Sequence, residues 1–285
     1  PPSLPMHNYQ LALPMLWAAA YSPAFMSHFF RAAGSVVDQI KINILSREMR
    51  DGRVVWIKRR RWTAGPITAC ANRFFDLAHN PVHALQDLAA WQHWEIGCFL
   101  RLHGDGFRAF PAGSRAIAAD EVPGRTLAAH LADGPLSAPM LAAAARELRR
   151  AHACRCPEFG GPWSHGDPHA GNFIYDQATD RARLIDFEVM HHRSLPAEER
   201  HADDLLVFLQ DLVGRVPAGE WLRSAWIFLE AYDRPAIVAR LERRLFVPGG
   251  FGRVWWAVRT TYLSPLELAG RIEALRASLR SRVRA

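Results

Sequence analysis

The stretch His165-Gly-Asp-Pro-His-Ala-Gly-Asn172, followed by Leu184-Ile-Asp-Phe-Glu188, decides the reading of this 285-residue chain. It places Asp167, Asn172 and Asp186 in a short loop–strand–turn–strand segment. Phosphoryl transfer needs such a set: one carboxylate near the attacking hydroxyl, with an amide and a second carboxylate to hold magnesium on a nucleotide. The same loop also admits a metalloenzyme reading, because His165-x-Asp167-x-His169 alternates residues of the kind that bind zinc or iron. The five-residue step from Asp167 to Asn172 and the Ile185-Asp-Phe-Glu188 turn favour phosphoryl transfer. No Gly-x-Ser-x-Gly elbow and no Walker A loop are present, which removes the serine-hydrolase and P-loop classes.

Outward from this segment, the composition is that of a globular protein, with 49% hydrophobic and 22% charged residues. The length suits one large domain or two lobes. Of 35 basic residues only Lys41 and Lys58 are lysine. Lys58 ends the β-like apolar run Val54-Val-Trp-Ile-Lys58, the pattern that brings an ammonium to nucleotide phosphates. A net charge of +7 suits an anionic partner such as a nucleotide, a phospholipid head group or a phosphorylated sugar lipid. The arginines are scattered and no recognition motif accompanies them, so nucleic acid is a poor fit. Cys70, Cys98, Cys154 and Cys156 form no zinc pattern and read as reduced thiols.

Element signals follow the chain in order. Residues 36–61 alternate like strands and turn at Asp51-Gly52, which predicts a hairpin. Ala84 to Leu102 has helical spacing of Leu88, Trp91, Ile96, Phe99 and Leu100. Ser137 to His152 predicts a helix capped by Ser137, and Ala197 to Leu212 another. Residues 219–285 read as helical, with Trp221, Trp226, Phe228, Trp255, Trp256 and Tyr262 as an aromatic core cluster. Arg271, Arg276, Arg280, Arg282 and Arg284 make the last helix basic, a solvated face or one that docks on anionic lipid.

Asp167, Asn172 and Asp186 resemble the catalytic loop and metal-binding turn of the protein-kinase-like superfamily. His-Gly-Asp in place of His-Arg-Asp, and Asp-Phe-Glu in place of Asp-Phe-Gly, resemble the aminoglycoside and choline phosphotransferase branch. They are similar as well to lipopolysaccharide-core sugar kinases and to the atypical kinases linked to ubiquinone synthesis. The resemblance implies ATP and Mg²⁺ as cofactors. Asp167 then faces the acceptor hydroxyl, Asn172 and Asp186 hold the metal, and Lys58 anchors the α/β-phosphates with Glu95 as its partner. By the hinge pattern, Asp120 and Val122 flank the adenine. His165 and His169 brace the loop, Glu188 is in reach of a second metal, and Asp204, or failing it Asp203, props the loop from below. No Gly-x-Gly-x-x-Gly loop is present to cover the phosphates.

The expected fold is therefore α+β, bilobal and protein-kinase-like, with a small antiparallel sheet in the N-lobe and a mostly helical C-lobe. The expected bounds are a helical N-terminal extension over 1–34, an N-lobe over 35–119, a hinge over 120–123 and a C-lobe over 124–285. Within the C-lobe the catalytic loop takes 164–172 and the metal-binding turn 185–188. The expected activity is ATP-dependent phosphorylation of a small molecule or lipid-linked sugar, an envelope glycolipid among them. An atypical serine/threonine protein kinase and a non-catalytic nucleotide-binding pseudokinase are the alternatives. With no secretory signal or long apolar span in the sequence, the expected place is the cytoplasm, with peripheral contact to the inner membrane face as a variant. The sequence leaves the acceptor, the metal count and the oligomeric state open.

Overall fold

The computed structural model describes residues 42–104, 106–261 and 263–283. The expected extension over 1–34 lies outside the described residues, as do Tyr262 and Arg284.

β1 (Asn43–Arg50) and β2 (Arg53–Arg60) form the predicted hairpin. Asp51 and Gly52 both take positive φ, 51° and 74°, the two-residue turn whose twist matches that of paired strands. β1 is exposed along most of its length and carries Arg47, Glu48 and Arg50, charges that suit an unpaired sheet edge. α1 (Ala64–Leu77), β3 (Val82–Ala84), α2 (Leu88–His103), β4 (Ala109–Pro111) and β5 (Ala116–Asp120) follow. The sheet runs β1-β2-β5-β4 and is antiparallel throughout.

Several elements differ from the sequence expectation. The helix predicted from Ala84 begins at Leu88, because Asp87 caps it, its Oδ1 accepting from Ala90 N at 2.7 Å. Ala84 instead pairs with Val189 in the β3–β11 ladder. α1 was not expected at all, and Pro66 in its first turn is the start signal it offered.

The chain crosses to the second lobe through Glu121–Gly124, between β5 and β6 (Arg125–Thr126). Only glycine fits at the end of that crossing. Gly124 has φ +115°, and a Cβ there would lie 2.2 Å from the Tyr175 carbonyl oxygen. α3 (Leu127–Asp133), α4 (Ala138–His152), the short pair β7 (Arg155–Cys156) and β8 (Gly161–Pro162), and the hairpin β9 (Phe173–Asp176) and β10 (Arg181–Leu184) come next. β11 (Val189–His191) then reaches back to pair with β3 of the first lobe. α5 (Ala197–Arg215), α6 (Ala218–Tyr232), α7 (Pro235–Arg244), α8 (Gly250–Arg259) and α9 (Pro265–Val283) complete the helical lobe.

α5 is the axle of this lobe, buried continuously from Arg200 to Val213. Phe208 stacks on Phe228 of α6 at 4.1 Å and meets Phe173 edge-on at 5.4 Å, which seats the β9–β10 hairpin on the helices. Burying side chains of this size stabilises the lobe by about 1.5–3 kcal/mol each. The arginines of α9 are engaged by other helices of the lobe, Arg271 below the surface and Arg280 and Arg282 on it. Arg271 donates to the carbonyls of Val213 and Val216, Arg276 and Arg280 pair with Glu242, and Arg282 pairs with Glu230. The described residues form a bilobal α+β structure, a small antiparallel sheet joined to a mostly helical lobe.

Candidate active site

The β9–β10 hairpin sets the spacing of the acidic site. Phe173 pairs with Leu184, both fully buried, and Ile185 N donates to Asn172 O at 2.9 Å. Asn172 and Asp186 therefore lie side by side although fourteen residues separate them. Asn172 Nδ2 donates to the Asp167 carbonyl at 2.9 Å, which commits the amide nitrogen and leaves Oδ1 as its donor toward a cation. Asp186 sits at φ +66°, a left-handed conformation that costs an L-residue about 1–2 kcal/mol and re-aims its carboxylate.

α5 supports the loop from below. Asp204, with no exposed surface, accepts from His165 N at 2.8 Å and Gly166 N at 2.7 Å. His152 Nε2 donates to the same carboxylate at 2.8 Å, and Tyr232 OH donates to His152 Nδ1 at 2.7 Å. Two turns further on, Asp211 accepts from Ala170 N at 2.8 Å. Sequence reasoning missed Asp211, although its seven-residue spacing from Asp204 places it on the same helix face. Asp203 sits elsewhere, between His191 at 3.2 Å and Arg244 at 3.0 Å. His165 accepts from Asp167 N at 3.2 Å and donates Nε2–H to Ile185 O at 3.1 Å, joining the loop to the Asp186 turn. Its burial lowers its pKa and keeps the ring neutral.

Gly166 explains the His-Gly-Asp form. Its φ is +88°, and a Cβ there would stand 3.2 Å from Val189 and 3.3 Å from Val82. The β3–β11 pair occupies the space that an arginine at this position would need.

Lys58 gathers the acids. Its Nζ lies 2.9 Å from Glu95 Oε1 and 2.7 Å from Glu188 Oε1, and it donates to Asp186 Oδ1. Glu95 is held in turn by Trp91 Nε1 at 3.0 Å and by Phe187 N at 3.3 Å. Trp91, one turn before Glu95 on α2, is the sequence signal that separates this glutamate from a surface acid. Burial opposes the ammonium, yet Asp186, Glu188 and Glu95 hold the Lys58 pKa well above its ordinary value. Desolvation in the cleft opposes the Asp186 charge, but Lys58 beside it holds its pKa low. Burial, reinforced by Asp186 and Glu95 against the pull of Lys58, pushes Glu188 up to about 7.

Three carboxylates face one ammonium, with the Arg60 guanidinium close enough to act on all three. The oxygens of Glu95, Asp186 and Glu188 lie within 4.8 Å of one another. An all-oxygen, acidic set fits Mg²⁺. Glu188 also supplies a pH test of the metal-free protein. Its folded pKa lies above the ordinary 4.5 of a free glutamate, so its proton stabilises the fold at low pH and that contribution is lost as pH rises from 4.5 toward 7. Glu188→Gln is expected to remove this loss, raising stability at pH 8 by up to about 3 kcal/mol but not at pH 4.5. Thermal unfolding in chelator at the two pH values checks it, and an equal shift at both would refute the assignment.

The end expected to hold the nucleotide differs in detail from that expectation. Strand register pairs Trp56 with Ala119, Lys58 with Ile117 and Val55 with Asp120. Lys58 and Trp56 therefore share one sheet face, and the Asp120 side chain is on the other. Its carboxylate is engaged by Arg108 N at 2.9 Å and Arg53 Nη1 at 3.1 Å. Any contribution of Asp120 to a base is thus through its backbone. Val122 packs into the helical-lobe core. Trp56 and Glu121 are the side chains at this end, joined by Trp56 Nε1–Glu121 Oε1 at 3.1 Å, with Arg47 bidentate on the same glutamate.

At the opposite end Asp167 Oδ1 accepts from Arg259 Nη1 at 2.5 Å, and Oδ2 lies 4.0 Å from His169 Nε2. His169 Nδ1 accepts from Gly171 N at 3.0 Å. Arg259 was not foreseen: it lies 92 residues from Asp167 in a chain rich in arginine. A cavity of about 600 Å³ elsewhere is lined by Ile44, Arg59–Thr63 and Ala112–Ala116 and presents no carboxylate.

The chain matches no protein-family model and no curated protein sequence. Among solved structures it is similar to the Rv3197–erythromycin complex from Mycobacterium tuberculosis, at 16% identity, covering 84% of this chain and 70% of that one, with a TM-score of 0.37. It is also similar to vaccinia related kinase 3, at 14% identity, covering 90% of this chain and 96% of the other, with a TM-score of 0.35. On its own strand order, crossing and Lys58–Glu95–Asp186 cleft, the fold is protein-kinase-like.

Proposed function

We propose that this chain is an ATP-dependent phosphotransferase acting on the hydroxyl of a small molecule or a lipid-linked sugar. The observation that carries the reading is the convergence of Lys58, Glu95 and Asp186 on one cleft, beside Asn172 and Asp167. In this reading Lys58 anchors the nucleotide phosphates, and Glu95 holds Lys58 in place. Asn172 and Asp186 would hold Mg²⁺, which neutralises phosphate charge when bound. Asp167 orients the acceptor hydroxyl and takes its proton. Asp204 and Asp211 fix the loop amides, so that the carboxylate meets the hydroxyl without reorganising.

The acceptor class follows from the short link after the turn. From Val189 to Pro196 the chain makes β11, paired to β3, and a brief turn before α5 starts. No long activation segment stands between them to dock a protein substrate. That favours a compact acceptor over a protein hydroxyl.

The test is transfer from γ-labelled ATP and Mg²⁺ into a cell-envelope extract, with wild type and Asp186→Ala side by side. Label is expected in a glycolipid or small-molecule fraction with wild type alone. Label confined to protein would overturn the acceptor class. Binding of Mg–ATP without transfer to any fraction would overturn the enzymatic reading.

A further inference from the structure

The C-terminal turn of α8 is firmly mounted. Thr260 is fully buried, and its amide and hydroxyl donate to the Trp256 carbonyl at 2.9 and 2.8 Å. Thr261 Oγ1 donates to Gly214 O of α5 at 2.6 Å. α5 also holds the catalytic-loop amides, so one helix positions both Arg259 and Asp167. On the other side Trp255 meets Phe75 and Phe74 of α1 edge-on, at 5.1 and 6.1 Å between centroids.

From this mount Arg259 reaches the loop. Nη1 donates to Asp167 Oδ1 at 2.5 Å, and Cζ lies 4.5 Å from the Trp255 ring centroid. The Arg259 side chain is only 9% exposed, yet Nε has no hydrogen-bond partner among the described residues. A guanidinium is always charged and carries five N–H donors in a planar fork. Burying one with Nε unpaired is unfavourable, and since Nε is itself closed off, the N–H groups left to a ligand are the terminal ones on Nη1 and Nη2. Asp167, 30% exposed at the cleft, takes a single donor on its carboxylate among the described residues. A ligand with two adjacent anionic oxygens is what a half-used fork accepts best.

We propose that Arg259 is an acceptor-recognition residue that holds Asp167 by Oδ1 and offers its remaining N–H groups to a phosphate or carboxylate on the acceptor. The acceptor is then an anionic alcohol whose charged group lies one guanidinium away from the reacting hydroxyl. The inference rests on the phosphotransferase reading above. In the step it serves, the acceptor oxygen bonds to the γ-phosphorus of ATP. The bond from that phosphorus to the β,γ-bridging oxygen breaks, and its electron pair leaves on ADP. The hydroxyl proton passes to Asp167 Oδ2, the oxygen Arg259 does not occupy, and from there to water.

The test is calorimetric binding of three probes, glycerol, glycerol 3-phosphate and glycerate, to the full chain saturated with Mg²⁺ and a non-hydrolysable ATP analogue. The analogue fills the nucleotide phosphate site, so an anion bound in its presence sits elsewhere. Wild type is expected to bind at least one anionic probe about tenfold or more tighter than glycerol. The two anionic arms separate phosphate from carboxylate recognition. Arg259→Ala is expected to bind all three probes alike, and Arg259→Lys to recover part of the preference. Thermal unfolding of each variant, unchanged within a few degrees, separates lost recognition from lost fold. Wild type that binds the analogue but shows no anion preference overturns the role of Arg259 alone, as does a preference that survives in Arg259→Ala. Wild type that does not bind the analogue overturns the nucleotide reading and this inference together.

Discussion

Asp186→Ala is expected to lower phosphoryl transfer roughly a thousandfold or more while leaving the protein folded, the scale at which one preorganised charge-stabilising group acts. The loss follows from position. Asp186 is brought beside Asn172 by the β9–β10 register and aimed by its left-handed backbone, and no neighbouring side chain can take over that geometry. Glu95 is committed to Lys58, Trp91 and Phe187 N, and Glu188 is bonded to Lys58 and Asn43. Removing the carboxylate therefore removes a ligand rather than shifting its work to another residue.

The fold survives for an electrostatic reason. Lys58 keeps Glu95 at 2.9 Å and Glu188 at 2.7 Å after the substitution. The substitution gives up the Lys58 bond that holds the Asp186 pKa low, but it also takes one of three carboxylates out of a 4.8 Å cluster, and the buried ammonium stays paired. Unfolding of the metal-free variant should therefore come within a few degrees of the wild-type temperature. Addition of Mg–ATP should stabilise wild type and leave the variant nearly unchanged, since only a ligand bound by the native state raises stability. Transfer at the wild-type rate by Asp186→Ala would end the metal assignment, and unfolding of the variant would end the charge argument.

What the sequence made legible depends on how local each signal is. The meeting of Asp167, Asn172 and Asp186 was readable because their spacing is written within two dozen residues and a hairpin turns that spacing into proximity. Lys58 was readable because lysine is rare in this chain and this one ends an apolar run. Asp204 could be found because the resemblance expects an acid on this helix beneath the loop; α5 is buried on all sides there, so periodicity alone does not separate it from Asp203. The failures are all matters of register or distance. That Asp120 faces away from Lys58 depends on how β5 pairs with β2, and nothing in either strand alone fixes that pairing. Arg259 is one arginine among many until α5 and α8 pack together at Gly214 and Thr261. α1 went unseen between two strands, although it supplies the aromatic wall on which α8 rests.

Asp204→Ala is expected to be the most damaging single truncation to stability, lowering it by several kcal/mol. The carboxylate has no exposed surface, and it answers three buried donors: His165 N, Gly166 N and His152 Nε2. Truncation leaves all three without partners, at roughly 1–3 kcal/mol apiece and less than additively. Set against a total stability of about 5–15 kcal/mol, that is enough to unfold much of the population at physiological temperature. Asp204→Asn is no rescue. Both carboxylate oxygens accept hydrogen bonds, so an amide nitrogen in either place sets a donor against a donor. Asp203→Ala is the control, because its partners His191 and Arg244 lie outside the loop amides and its cost should be the smaller. The effect also carries a pH signature. Burial works against the Asp204 charge, but the His152 hydrogen bond and the neighbouring histidines hold its pKa far below the ordinary carboxylate value. A carboxylate depressed in this way contributes its full stability above the unfolded value of about 3.9 and loses it as pH falls further. The gap in melting temperature between wild type and Asp204→Ala should thus be wide at pH 7 and narrow as the solution is taken below about pH 4. A gap that stays constant down to the acid limit would mean that Asp204 acts through packing alone and that the loop amides find other acceptors.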